Sequence, residues 1–86
     1  MFEIILTKEA RKDYQKLSKS MVKHINQCLD HLRQNPLHYP QAVSLIGNLA
    51  GYYRWRVGDW RVFYEVNEDK NVVTVLQIAH RSKVYK

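Results

Sequence analysis

Eighty-six residues, 45% of them apolar, with three Gly, two Pro and no low-complexity stretch, describe one small globular domain over 1–86 and exclude a disordered chain. Fourteen Lys and Arg against eight Asp and Glu leave a formal charge of +6, which points to nucleic acid or an acidic protein as partner. The single cysteine, Cys28, excludes an intramolecular disulfide framework and a multi-thiolate zinc site. No apolar run exceeds that of Ile4-Ile5-Leu6, so no membrane span and no signal-peptide core is expected, and the protein is expected in the cytoplasm. A chain this short has little interior to give to a deep cleft, so its chemistry is expected on an open face.

The first segment, Phe2-Glu3-Ile4-Ile5-Leu6, is short, β-branched and aromatic and reads as a strand. Thr7 follows as an N-cap, with Glu9 in the first turn where the helix dipole favours an anion. Ala10, Tyr14, Leu17 and Met21 then form one apolar stripe on a helix, and Ser18 or Ser20 can end it and cap the next. Val22, Ile25, Leu29 and Leu32 give a second amphipathic helix, which stops at Asn35-Pro36 because the residue before proline avoids the helical region. Two helices with so short a connection make an antiparallel hairpin. Residues 36–51 hold both prolines and read as a connecting loop.

Three strands follow: Tyr52 to Val57, Trp60 to Asn67 and Val72 to Ala79. Gly58-Asp59 suits a two-residue hairpin turn between the first two, and Glu68-Asp69-Lys70-Asn71 a polar turn before the third. The order β-α-α-β-β-β predicts an α+β fold, an antiparallel sheet with a two-helix hairpin packed on one face.

A two-residue turn at Gly58-Asp59 pairs Val57 with Trp60, Trp55 with Val62 and Tyr53 with Tyr64, and these side chains share the face toward the helices. The other face carries Tyr52, Arg54, Arg56, Arg61, Phe63 and Glu65, with Arg56 directly opposite Arg61. Like charges so placed are destabilising by some tenths of a kcal/mol. Three arginines beside aromatic rings suit RNA: guanidinium groups clamp phosphate bidentately and rings stack bases. Lys8, Arg11, Lys12, Lys16, Lys19 and Lys23 add a second basic patch on the first helix, which would act on a nucleic-acid backbone without sequence preference. His24, His31 and His38 recur every seven residues, not at the four-residue step of a helical metal site, so they read as packing or surface residues and no metal is expected. Cys28, beside the second stripe, reads as buried and inert. The chain closes on His80-Arg81-Ser82-Lys83-Val84-Tyr85-Lys86, rich in groups that could meet phosphate.

The stretch Leu45-Ile46-Gly47 through Gly51-Tyr52-Tyr53-Arg54-Trp55-Arg56-Val57-Gly58-Asp59-Trp60-Arg61-Val62-Phe63-Tyr64-Glu65-Val66, followed by Ile78-Ala79-His80-Arg81 and Tyr85, resembles the RelE/ParE superfamily of toxins from type II toxin–antitoxin pairs. The resemblance spans essentially the whole chain, including the order of its elements. It implies a ribosome-dependent, metal-independent endoribonuclease, an mRNA interferase that cuts mRNA in the ribosomal A site through attack of the 2′-hydroxyl and so inhibits translation. Family catalytic positions carry over to Arg54, Arg56, Arg61, Arg81 and Tyr85. The RNA-binding set it implies is Lys8, Arg11, Lys12, Tyr52, Phe63 and Lys83. No cofactor is implied.

Relatives often carry lysine at the positions of Arg54 and Arg56, and an arginine cannot give up its proton in a protein. The proton acceptor is therefore sought at His80, then Tyr85, then Glu65. The implied partners are a cognate, acidic antitoxin encoded by a neighbouring gene, in a hetero-oligomer, and the ribosome with bound mRNA; a membrane is not among them. The same stretch also occurs in ParE-like toxins that inhibit DNA gyrase without cutting RNA, and a purely binding member with an antitoxin dock is a third reading. Register supplies a geometric condition. Even pairing through Asp69-Lys70 would set Arg61 opposite Ile78 and send Arg81 to the core face, so an odd connection, a β-bulge or an early strand end near Ala79 is predicted.

Overall fold

In the computed structural model, which describes residues 1–37, 39–45 and 51–84, the chain begins with strand β1 (Glu3–Leu6). Its Ile4 and Leu6 turn toward the core while Glu3 and Ile5 face out. Thr7 ends the strand and caps α1 (Lys8–Gln15), its Oγ1 accepting the Ala10 N–H at 3.1 Å. Ser18 does the same for α2 (Lys19–Gln34), accepting the Met21 N–H at 3.1 Å. Each cap satisfies one of the donors that a helix start leaves without a partner. Because Ser18 is the cap, Met21 belongs to α2. That helix buries Ile25, Cys28, Leu29 and Leu32 and stops at the extended Asn35, ahead of Pro36.

The remaining elements are β2 (Ala42–Ser44), β3 (Tyr52–Val57), β4 (Trp60–Asn67), β5 (Val72–His80) and a short α3 (Arg81–Val84). They form one five-stranded sheet in the order β1-β5-β4-β3-β2. The α+β class and the packed helices are as predicted, with two corrections. The stretch read wholly as a loop contains β2, three residues too short to show a period, which become a strand by pairing with the open edge of β3. The sheet is mixed, since β1 pairs with β5 in parallel while the other pairs are antiparallel. Alternation shows which face of a strand is buried but not which neighbour it takes.

The core lies between the sheet and the helices. Trp55, Val62, Tyr64, Val73, Val75 and Ile78 meet Ala10, Ile25, Cys28, Leu29 and Leu32. Two hydrogen bonds fasten the end of α2 to the sheet side. The Phe2 N–H donates to the Arg33 carbonyl at 2.7 Å, and the fully buried Tyr64 hydroxyl donates to the Pro36 carbonyl at 2.7 Å.

The predicted irregularity is a bulge in β5. Tyr64 lies opposite Val75 but Phe63 lies opposite Gln77, so Leu76 is extra and Arg61 lies opposite Ala79. Where β1 runs out, α1 takes over the edge of β5. The Thr7 hydroxyl donates to the Leu76 carbonyl at 3.0 Å, and the Ile78 N–H donates to Asp13 Oδ2 at 3.0 Å.

Two outcomes follow. Removing the Asp13 carboxylate (Asp13→Ala) leaves the Ile78 N–H without its acceptor and is expected to cost about 1–2 kcal/mol in urea unfolding, with Asp13→Asn retaining most of the stability. Burial pushes the Cys28 thiol up from 9.0 to about 12. The unfolded chain therefore sheds this proton at a pH where the folded chain keeps it. Stability should fall as pH rises from about 9 toward 12, by up to about 1.4 kcal/mol per pH unit from this group. Urea midpoints at pH 8, 9 and 10 measure the trend, and a thiol reagent at pH 8 should label Cys28 only after unfolding.

Candidate active site on the open sheet face

The sheet face turned away from the helices is built in rows by strand register. One row runs Arg56–Arg61–Ala79, the next Val43–Arg54–Phe63–Gln77, and a third Tyr52–Glu65–Thr74–Ile5. Neighbouring strands stand about 4.8 Å apart, so the arginines are held together by the backbone itself.

The repulsion between Arg56 and Arg61 is relieved by giving the two side chains different environments. Arg61 is only 6% exposed. Its guanidinium turns back to the hairpin, with Nη1 donating to the Gly58 and Trp60 carbonyls at 3.0 Å each. Gly58 sits at φ +58°, the left-handed region a tight hairpin turn requires and glycine accepts without strain. The same turn receives Arg81, whose backbone N–H donates to the Asp59 carbonyl at 2.7 Å and whose Nε lies 3.9 Å from Asp59 Oδ1. Both side chains of that ion pair are mostly exposed, so it orients more than it stabilises. Gly58-Asp59 therefore anchors two arginines, one from β4 and one from the start of α3.

On the other side, Arg54 and Arg56 line an open groove of about 490 Å³ with Pro40, Gln41, Val43 and Gly58. Arg56 is exposed and Arg54 half-buried. Arg54, Arg56, Arg61 and Arg81 thus gather at one end of the face, with Arg61 fixed in a poorly hydrated position where a fixed donor acts most strongly on charge. Such a set suits a phosphodiester and the extra negative charge of its pentacoordinate transition state.

Other expected residues lie elsewhere. His80 pairs with Trp60 and so belongs to the helix-side face; the rings meet edge to face at 5.4 Å. Its Nδ1 accepts the Ser82 N–H at 3.2 Å and lies 2.9 Å from Ser82 Oγ. The register that brings Ala79 onto the arginine face turns His80 off it, which corrects the expectation of His80 as a base beside the arginines. Glu65 shares the open face but lies four residues from Arg61 along β4, about 13 Å, too far to serve the same phosphate. Lys8, Arg11 and Lys12 are exposed on α1 and Lys83 on α3, while Tyr52 and Phe63 are half-buried on the arginine face. Tyr85 and His38 lie outside the described residues. His31, read as a packing or surface residue, does pack: its ring stacks on Trp55 at 5.9 Å and meets Tyr39 at 5.0 Å. Asp59 and Gln77 were not singled out in sequence. The Gly-Asp turn signal could have flagged the first; only the bulge places the second.

Comparison with known proteins identifies the family. The family model for the ParE toxin of the parDE type II toxin–antitoxin system matches residues 4–85. The putative toxin RelE1 of Methanocaldococcus jannaschii is 31% identical over 88 residues, covering 99% of this chain and 96% of its own. Toxin RelG of Mycobacterium tuberculosis is 26% identical over 86 residues, covering 99% and 97%. The crystal structure of the RelBE2 toxin–antitoxin complex from the same organism contains a chain that superposes with a TM-score of 0.82 at 26% identity, covering 93% of this chain and 98% of that one. The architecture is that of the RelE-like toxin fold. The chain belongs to the ParE toxin family of type II toxin–antitoxin systems, within the RelE/ParE superfamily.

The unequal environments of the paired arginines can be checked by urea unfolding. Arg61→Ala removes the donor to two carbonyls and should destabilise by about 1–3 kcal/mol. Arg56→Ala removes an exposed like charge and should change stability by only a few tenths of a kcal/mol, in the stabilising direction.

Proposed function

We propose that this toxin is a ribosome-dependent endoribonuclease that cuts mRNA in the A site without a metal and thereby stops translation in the cytoplasm. The observation that carries the reading is the convergence of Arg54, Arg56, Arg61 and Arg81 at one end of the open face, with Arg61 pre-set by the Gly58 and Trp60 carbonyls. The 2′-hydroxyl loses its proton and its oxygen attacks the adjacent phosphorus. The bond from phosphorus to the 5′ oxygen breaks, and that oxygen takes up a proton. The products are a 2′,3′-cyclic phosphate and a 5′-hydroxyl. Guanidinium groups held at this end of the face stabilise the charge gained on the phosphate oxygens. The carboxylate that stands beside the arginines is that of Asp59, 3.9 Å from Arg81 Nε. Tyr85, which the family resemblance makes catalytic, is the side chain of this chain assigned to stack on the mRNA or to share in proton transfer.

A cognate antitoxin is the second partner. Solved relatives include toxin–antitoxin complexes, among them RelBE2 of Mycobacterium tuberculosis and the RelE–RelB pair of Pyrococcus horikoshii. An acidic segment laid over the basic face would complement the charge of +6. The match to the ParE model favours a second reading, a toxin that inhibits DNA gyrase and needs no nuclease chemistry.

Primer extension on an mRNA in a reconstituted translation reaction, with and without ribosomes, tests the two readings. Cleavage inside A-site codons is expected only with ribosomes, and Arg81→Ala should lower its rate by about 10²–10³-fold while leaving the fold intact. A folded, antitoxin-free preparation that cuts nothing but blocks gyrase supercoiling would overturn the nuclease reading in favour of gyrase.

A further inference from the structure

One residue row beyond Arg56 and Arg61, the open face holds a groove of about 420 Å³ lined by Glu9, Leu45, Tyr52, Phe63, Leu76 and Gln77. We propose that it is a nucleobase pocket for single-stranded RNA that selects guanine. The proposal rests on the RNA reading above and adds to it a place where sequence is read.

Continuity with the arginine end is the first argument. Phe63 is the cross-strand partner of Arg54 and stands two residues from Arg61 on the same face of β4. A strand whose phosphate lies on the arginines therefore carries its neighbouring base over Phe63 and Tyr52. Aromatic faces of this kind hold unstacked bases in single-stranded RNA, whose Watson–Crick edges are then free to be read.

The second argument is how the groove is made. Leu76 is the extra residue of the β5 bulge, and Gln77 follows it at the position opposite Phe63. Bulges re-aim side chains in this way next to functional sites. The freed Leu76 carbonyl accepts the Thr7 hydroxyl at 3.0 Å, and the same Thr7 oxygen caps α1. Glu9, in the first turn of that helix, is exposed and lines the groove. Glu9 forms no ion pair among the described residues.

The third argument is hydrogen-bond chemistry. An ionised carboxylate only accepts, while the Gln77 amide both donates and accepts. Guanine alone among the four bases sets two donors side by side, N1–H and the 2-amino group, and places a carbonyl acceptor next to them. Glu9 can take the two donors and Gln77 can donate to O6. Uracil would turn a carbonyl toward the carboxylate on either side of its single donor. An acidic protein segment would be repelled by Glu9, so a base fits the groove better than the antitoxin does.

The test is binding of uncleavable 2′-O-methyl trinucleotides differing only in the middle base, followed by backbone amide shifts of the labelled protein. The guanine oligomer should bind at least about fivefold more tightly than the uracil one, with shifts at Phe63, Leu76 and Gln77. Glu9→Gln should abolish that preference by weakening guanine binding and strengthening uracil binding, and Phe63→Ala should weaken all four roughly tenfold. Base-independent affinity, a preference that survives Glu9→Gln, or shifts confined to the arginine end would overturn the pocket and leave the groove to a protein partner. The readouts separate the two readings. Guanine-selective binding by a protein that does not cut mRNA on ribosomes keeps the pocket and removes the nuclease, whereas ribosome-dependent cutting with base-independent binding does the reverse.

Discussion

A single extra residue in β5 is the constraint on which the rest of the open face depends. Side chains along a strand alternate with a period of two, so adding Leu76 exchanges the faces of everything that follows it. It turns Ala79 toward the face that holds Arg61, moves His80 to the helix side, and brings the chain to Asp59 with Arg81 beside the hairpin turn. A bulge leaves backbone groups without ladder partners, and here α1 supplies them through Thr7 and Asp13. The first helix therefore closes the core with Ala10 and, with its polar residues, holds the register that assembles the arginines.

The arginine cluster is the second organising feature. Like charges on adjacent strands oppose folding, and the structure answers with unequal placement. Arg61 is withdrawn into carbonyl contacts, Arg81 lies against an exposed aspartate, and Arg56 stays in water. A chain of 86 residues cannot enclose a reaction centre, so whatever excludes water from this face must come from what docks on it. That is the physical sense in which activity confined to the ribosome, and inhibition by an antitoxin lying over the same face, belong together in the proposed function.

The fold alone does not choose among activities, because one scaffold carries sites of different kinds. Fold and basicity fit a gyrase inhibitor as well as a nuclease. What favours the nuclease is the residue set at one end of the sheet. Four arginines gathered at the hairpin end of that face suit a phosphodiester. Arginine at positions 54 and 56 gives that set charge and geometry but no proton acceptor.

Local patterns decided much of this protein in advance. The caps Thr7 and Ser18, the helix end before Pro36, the Gly58-Asp59 hairpin and its exact pairing of Arg56 with Arg61 all come from short-range chemistry. So do the apolar faces that make the core. Those features depend on neighbours in sequence or across a two-residue turn. What only the tertiary structure decided involves partners far apart in the chain: β1 lying parallel to β5, β2 forming on the edge of β3, Leu76 as the bulge residue and the burial of Arg61. The need for a register change before Arg81 was legible from counting residues. Its position was not, because it is fixed by Thr7 and Asp13, some 65 to 69 residues earlier, reaching the edge of β5 where β1 has ended.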